Sequence, residues 1–231
     1  MSFEYIYENV ELAKERISKA ADKVEISEKP QIIAAIKSAD VEQINYLTDV
    51  CKILDVGENR VQQLVERYDA IKREGLRIHF IGKLQRNKVK YIIDKIYMIH
   101  SLDSLSLAAE IDKQSARLGI TMKVLIEINI GQEENKSGIM PQDAESFALQ
   151  LGQFKNIELC GFMTMAPRCD NKSDYIKYFS QTAKIALDIW EKTLHNICRP
   201  ILSMGMSESY KEATECGATY VRIGRSLFEN K

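Results

Sequence analysis

Lys37 is the residue of this sequence best placed to do chemistry. It follows the uncharged run Ile32-Ile33-Ala34-Ala35-Ile36, which has the branched-chain content of a buried strand. At the end of such a strand desolvation lowers an ammonium pKa. A neutral amine attacks an aldehyde and forms a Schiff base. A lysine that merely caps the strand and reaches solvent fits the position equally well, so position alone leaves both readings open.

Two later segments add anion-binding chemistry. Ser203-Met204-Gly205-Met206-Ser207 offers hydroxyls and glycine backbone. Arg222-Ile223-Gly224-Arg225 offers a guanidinium and backbone N–H groups at the expected start of a short helix. Gly205 and Gly224 could also serve turns alone. Taken with Lys37, the set describes a phosphorylated aldehyde held at both ends.

The elements that must position these residues follow from periodicity. Ile6, Val10, Ala13, Ile17, Ala20 and Val24 recur at spacings of three and four, predicting a helix over roughly Glu4 to Val24. Ser27 to Pro30 breaks it. Short apolar runs then alternate with amphipathic ones. The runs are Gln31–Ile36, Ile53–Val56, Arg77–Ile81, Ile96–His100, Lys123–Ile128, Glu158–Phe162, Pro200–Ser203 and Thr219–Ile223. Helices are predicted at Val41–Val50 behind an Asp40 cap, Arg60–Arg73 before Gly75, and Leu105–Leu118 before Gly119. Pro141–Gln153, Ser173–His195 and Ser209–Cys216 continue the series. Eight such units predict an α/β fold: a single (β/α)8 TIM barrel with an extra N-terminal helix, one domain over residues 1–231. An open doubly wound sheet is the runner-up. In a barrel the chemistry sits at the C-terminal strand ends. There the sequence places Lys37, Gly57-Glu58-Asn59, His79 with Gly82, His100-Ser101, Asn129, Met163-Thr164-Met165 and the two later segments.

Bulk properties set limits. The chain has 231 residues, 45% of them hydrophobic, enough for one large core. A formal net charge of -1 supplies no field for nucleic acid or an anionic membrane. The five cysteines are scattered and no C-x-x-C pair occurs, which argues against a disulfide framework or a metal site. The charged start MSFEYIYENVELAKERI has no apolar signal region, and no apolar run approaches the roughly 20 residues of a membrane span. A cytoplasmic protein is expected.

Several segments carry a family resemblance. They are Ala34-Ala35-Ile36-Lys37, Gly57-Glu58-Asn59-Arg60-Val61-Gln62 and His79-Phe80-Ile81-Gly82-Lys83-Leu84-Gln85-Arg86-Asn87-Lys88. Ile128-Asn129, Glu134-Asn135-Lys136-Ser137-Gly138 and Gly161-Phe162-Met163-Thr164-Met165 follow, and then the two later segments already named. In this order they resemble the pyridoxal phosphate homeostasis protein family, whose barrel is similar to the N-terminal domain of alanine racemase. The resemblance implies that pyridoxal 5′-phosphate (PLP) is the cofactor and Lys37 the Schiff-base lysine. It implies that Ser203, Gly205, Ser207, Arg222 and Gly224 surround its phosphate and ring, and that Asn59 lies beside it. His79 belongs to a matching motif and joins the expected cofactor-binding set, although a satisfied core histidine explains it equally well.

The chain departs from the family pattern at Ala35, Ile36 and Ser38 around the lysine, at Gln63, at Glu208 and at Arg225. The Arg225 change either alters the phosphate pocket or points outward. The implied role is cofactor homeostasis without robust catalysis. The alternative is an amino-acid racemase or a related PLP enzyme, and a cofactor-free Schiff-base aldolase is a third class. Alanine racemase-like enzymes use a second, β-rich domain that is not expected here, and the strand-eight motif offers the pyridine nitrogen no acid. Expected partners are PLP and apo-forms of PLP-dependent enzymes, with no nucleic acid and no membrane. A monomer is expected.

Overall fold

The computed structural model describes residues 3–26, 28–193 and 199–230. Ser27 of the expected break, Cys198 and the expected helix end at His195 lie outside the described residues. α1 (Glu4–Asp22) buries Ile6, Val10, Ala13, Ile17 and Ala20, one stripe of a 3.6-residue period.

The barrel strands are β1 (Gln31–Ala35), β2 (Asp55–Glu58), β3 (Arg77–Phe80), β4 (Met98–Leu102), β5 (Met122–Ile128), β6 (Ile157–Thr164), β7 (Ile201–Ser203) and β8 (Tyr220–Ile223). Every neighbouring pair is parallel, and β8 pairs with β1, so the sheet closes in sequence order. The expected (β/α)8 barrel is observed. Between strands run α2 (Val41–Asp49), α3 (Val61–Arg67), α4 (Leu105–Leu118), α5 (Ala144–Leu151), α6 (Lys172–Thr193) and α7 (Tyr210–Glu215), with α8 (Arg225–Phe228) after β8. α1 packs against α2, α7 and α8, filling the outer ring where α8 has only one turn.

Local signals explain most boundaries. Asp40 caps α2 in a reciprocal box: its carboxylate accepts from Gln43 N at 2.8 Å and its own N–H donates to the Gln43 side chain at 3.0 Å. Gly119 ends α4 in the left-handed region at φ 66°. The third helix differs from expectation. It stops at Arg67, because the chain turns aside and Lys72 N donates to Asn45 Oδ1 at 2.9 Å. Gly75, at φ 70°, closes a later turn instead of capping the helix. β3 and β4 are joined by a 3-10 turn at Arg86–Tyr91.

The core has two parts. The larger lies between strands and helices and includes Ile44, Leu64, Phe80, Ile99, Phe162 and Phe179. The smaller plugs the barrel with Met98, Leu125, Cys160 and Met163. Polar residues are buried as well, among them His79, His100, Ser203 and Arg222. Among the described residues no helix is long and apolar enough to cross a membrane.

Asp40→Ala removes the cap of the helix that follows Lys37. We expect a loss of about 1 kcal/mol in the denaturant midpoint analysis, with Asp40→Asn close to the parent.

Candidate functional site

β1 ends at Ala35, and Lys37 lies two residues beyond it in a turn at the C-terminal mouth of the barrel. Its side chain is exposed. This corrects the expectation of a desolvated lysine: the buried run ends at Ile36, and Lys37 stands past it in solvent.

The turn itself is held firmly. Gln63 Nε2 donates to Lys37 O at 2.9 Å. Arg67 donates to Ile36 O at 3.1 Å and to Ala39 O at 3.2 Å. Arg67 is ion-paired with Glu58, and both are buried. The other Glu58 oxygen accepts from Asn59 N at 2.7 Å and Arg60 N at 3.1 Å. Glu58 therefore ties the β2 end to the Lys37 turn. At position 63 a glutamine can donate to that carbonyl where an ionised glutamate cannot. Asn59 sits beside this clamp with its Oδ1 buried and without a partner. Gly82 passes so close to the Asn59 backbone that a Cβ would collide with it.

The segments after β7 and β8 meet across the same mouth. Gly205 has φ +85°, and its missing Cβ leaves room for Ala213 and Tyr210. Gly205 O accepts from Arg222 N at 3.0 Å. Gly224 N donates to Ser207 Oγ at 3.3 Å, and a Cβ on Gly224 would stand 3.0 Å from Ala35 O. The register of β1 on β8, Ile33 to Arg222 and Ala34 to Ile223, sets Gly224 beside the last residue of β1. Lys37, Asn59, Gly205, Ser207 and Gly224 thus share one end of the barrel. Arg225 points outward: it is exposed and pairs with Glu208 at 3.7 Å and Glu229 at 3.8 Å. The departures at 208 and 225 face each other.

Arg222 lies deeper. It is buried, donating to Ser203 Oγ at 2.7 Å and to Thr164 O at 2.8 Å. Burial lowers its pKa from 12.5 to about 10, with the negative charge of Glu127 opposing the shift, so it stays a cation at neutral pH. Below it a column of polar groups crosses the barrel. Ser203 Oγ is 3.0 Å from His100 Nδ1, His100 Nε2 is 2.9 Å from His79 Nδ1, and His79 Nε2 is 2.9 Å from Asp55 Oδ1. Arg77 grips Asp55 with two hydrogen bonds, of 2.6 and 2.5 Å.

His79 therefore differs from its expected place in the cofactor-binding set. Both ring nitrogens are engaged inside the column, and it reaches the mouth only through His100 and Ser203. Ser203 likewise spends its hydroxyl on His100 and Arg222. Burial lowers the pKa of His79, against the Asp55 hydrogen bond. His100 falls well below the usual range through burial, and a positive charge on His79 or Arg222 beside it pushes the same way. Burial opposes ionisation of Asp55, but hydrogen bonds from His79 and Arg77 outweigh it and hold the carboxyl low.

Sequence reading put His100 and Thr164 at the strand ends without giving them a role, and left Asp55, Arg67 and Glu127 out of the site. Only three histidines occur in the chain, and two on neighbouring strands were a usable signal. Nothing in the sequence marked Arg67, an ordinary helix arginine by pattern. Glu127 on β5 is buried, and burial followed by Asp103 raises its carboxyl to about 7, against Arg222 and Lys83.

The chain matches the family model described as the N-terminal domain of alanine racemase over residues 9–230. An alanine racemase from Clostridium difficile 630 superposes at TM-score 0.73, covering 97% of this chain and 57% of the racemase, at 19% identity. That likeness defines the class, an alanine-racemase-type barrel. A pyridoxal phosphate homeostasis protein of Aquifex aeolicus is 39% identical over 215 residues, 93% of either chain. PipY of Synechococcus elongatus PCC7942, solved with PLP bound, is 27% identical at TM-score 0.79 and covers 97% of this chain and 100% of PipY. The chain belongs to the pyridoxal phosphate homeostasis protein family.

Two expectations follow from the buried acids. Arg67→Met leaves Glu58 without its partner in the interior and is expected to cost about 3–5 kcal/mol, while the double variant with Glu58→Gln recovers most of the loss; urea unfolding checks both. Glu127 has a folded pKa of about 7 against 4.5 unfolded. The folded state thus binds the proton more tightly, and this contribution to stability is full below 4.5 and fades as pH rises through 7. Asp103 has the same sign, and Asp55 has the opposite sign at lower pH. Stability measured at about pH 5 and pH 7 is expected to fall less in Glu127→Gln than in the parent. Equal slopes would show that Glu127 does not titrate there.

Proposed function

We propose that this barrel is one PLP-binding unit that serves intracellular PLP homeostasis, holding the cofactor on Lys37 without robust turnover of its own. The observation that carries the reading is the β8-to-β1 closure, which brings the Lys37 turn, the glycine-rich β7 and β8 ends and the Arg222 cation to one mouth. The naming of the relatives and the PLP in PipY support it.

The residues present fit the group. PLP supplies an aldehyde that condenses reversibly with a primary amine, releasing water. Lys37 is the amine, exposed and therefore able to meet a cofactor arriving from solvent. Gly205, Ser207 and Gly224 would hold its phosphate, their backbone set at the mouth by the close packing of Gly205 on Ala213 and of Gly224 on Ala35. The buried, unpartnered Asn59 Oδ1 would accept a hydrogen bond from a ligand group. Arg222 faces the ring end.

Arg222 also argues for holding over catalysis. A guanidinium is only a donor and stays charged, so it leaves a pyridine nitrogen unprotonated and the ring a weak electron sink. Its contacts are a hydroxyl and a carbonyl, with no carboxylate among them. A monomer that delivers PLP to apo-enzymes is the form we assign.

Incubation with PLP is expected to give a visible absorbance band that borohydride bleaches, with the fixed label mapping to Lys37. Lys37→Ala should abolish the band. A parent protein that gains no band, or a label elsewhere, sinks the reading. Fast racemisation or decarboxylation of any amino acid by the loaded protein would replace carrier with enzyme.

A further inference from the structure

We propose that Asp55, His79 and His100 are positioning residues for Arg222: a chain of hydrogen bonds with a single direction that sets the Ser203 hydroxyl and so pins the guanidinium. The proposal rests on the reading of Arg222 as the group facing the cofactor ring.

The direction follows from donor and acceptor bookkeeping. At the lower end Asp55 is an ionised carboxylate, gripped by Arg77, and can only accept. His79 Nε2 must therefore carry its proton toward Asp55 Oδ1, 2.9 Å away. A neutral His79 then presents a bare Nδ1, so the His100 Nε2–H donates across 2.9 Å. That leaves His100 Nδ1 bare, and Ser203 Oγ–H donates to it at 3.0 Å. The lone pairs of Ser203 Oγ remain, and Arg222 fills one at 2.7 Å while its other amino group binds Thr164 O at 2.8 Å. The opposite direction would set a proton-free His79 nitrogen against the Asp55 carboxylate, two acceptors face to face. All of the links are buried: His79, His100 and Ser203 are 0% exposed, so water cannot substitute for any of them. The edge-on rings of Tyr97 and Tyr220 against His79 close its flanks.

The consequence reaches the mouth. With Ser203 committed as donor to His100, its oxygen is a fixed acceptor for the guanidinium, and Arg222 is held by two acceptors from below. The acid at the lower end of the barrel thereby sets the pose of the cation that faces the ligand, and no proton in the column is available for transfer to it.

The experiment reads the column directly and then through Arg222. Imidazole nitrogen NMR of the ligand-free protein is expected to show His79 and His100 both neutral and both protonated on Nε2 near neutral pH, and Arg222 with separately resolved amino groups from hindered guanidinium rotation. A cationic ring, or a proton on Nδ1 of either, overturns the chain. His100→Phe keeps the volume and removes both links. It should collapse the Arg222 signals to one and weaken PLP retention roughly tenfold with a shifted absorbance maximum, while borohydride still fixes PLP on Lys37. Unchanged Arg222 signals overturn the positioning role, as do an unchanged spectrum and retention. Should His100→Phe not fold, Ser203→Ala, which removes only the last link, is read in the same way. Failure of the parent to bind PLP would sink the cofactor reading alone, because the tautomers and the Arg222 signals are read without it.

Discussion

A full positive charge sits in the interior of this barrel with no carboxylate among the described residues touching it, and much of the polar architecture answers that one constraint. Arg222 is too deep to be hydrated. Moving an ion of this size from water to protein costs several kcal/mol even after relaxation. Two neutral acceptors, Ser203 Oγ and Thr164 O, meet it directly, and Glu127 adds a longer-range negative charge. Neutral acceptors in the interior must themselves be held in place. The histidine column does this for Ser203, and the β6–β5 pairing does it for the Thr164 carbonyl. Met98, Leu125, Cys160 and Met163 form a small apolar cluster of their own. Cys160 is part of that cluster, and burial pushes its thiol up to about 12, so it packs as a hydrophobe.

Closure of the sheet is what makes this interior useful. An open sheet would separate the first strand from the last. Here the pairing of Ile33 with Arg222 and Ala34 with Ile223 sets the start and end of the strand sequence side by side. The Lys37 turn then stands over a charge fixed from below. The turn is not merely adjacent: Glu58, Arg67 and Gln63 anchor its carbonyls from the β2 side. Two independent polar systems thus converge on one mouth, one fixing the lysine backbone and one fixing the arginine side chain.

The eight strands were legible because most of the runs are rich in Ile, Val and Leu, α1 because of its period, and α2 and α4 because period and caps agreed. The misplacements were systematic. β2 was expected at Ile53–Val56 and runs from Asp55 to Glu58; β4 was expected to stop at His100 and continues to Leu102. In each case the strand runs on through polar residues that hydropathy assigns to a loop. Asp55, Glu58 and His100 are each buried against partners from other segments, Asp55 on Arg77 and His79, Glu58 on Arg67, and His100 on His79 and Ser203, a property of pairs that no single-residue pattern carries. The same gap hid Arg67 and demoted His79 from ligand contact to column. Lys37 was overread in the other direction: the apolar run before it implied burial, but the strand ends one residue early, at Ala35, and Lys37 lies in the turn beyond it.

The departures from the family pattern behave as a set as well. Arg225 and Glu208 look like two unrelated changes in the sequence, yet they face each other at 3.7 Å on the rim. Both side chains are largely exposed, so the pair adds little stability. Its effect is on the field at the mouth: the two charges answer each other, so the Arg225 departure is met by an acid on the same rim. Gln63 follows the same logic, since a carboxylate there would face the Lys37 carbonyl with no proton to offer. On the homeostasis reading this matters more than raw affinity. A protein that holds a cofactor and releases it needs a defined pose with moderate grip. A rigid, locally neutralised rim around a covalent but hydrolysable link supplies that combination. The exposed position of Lys37 completes it, because the same solvent access that admits the aldehyde admits the water that frees it.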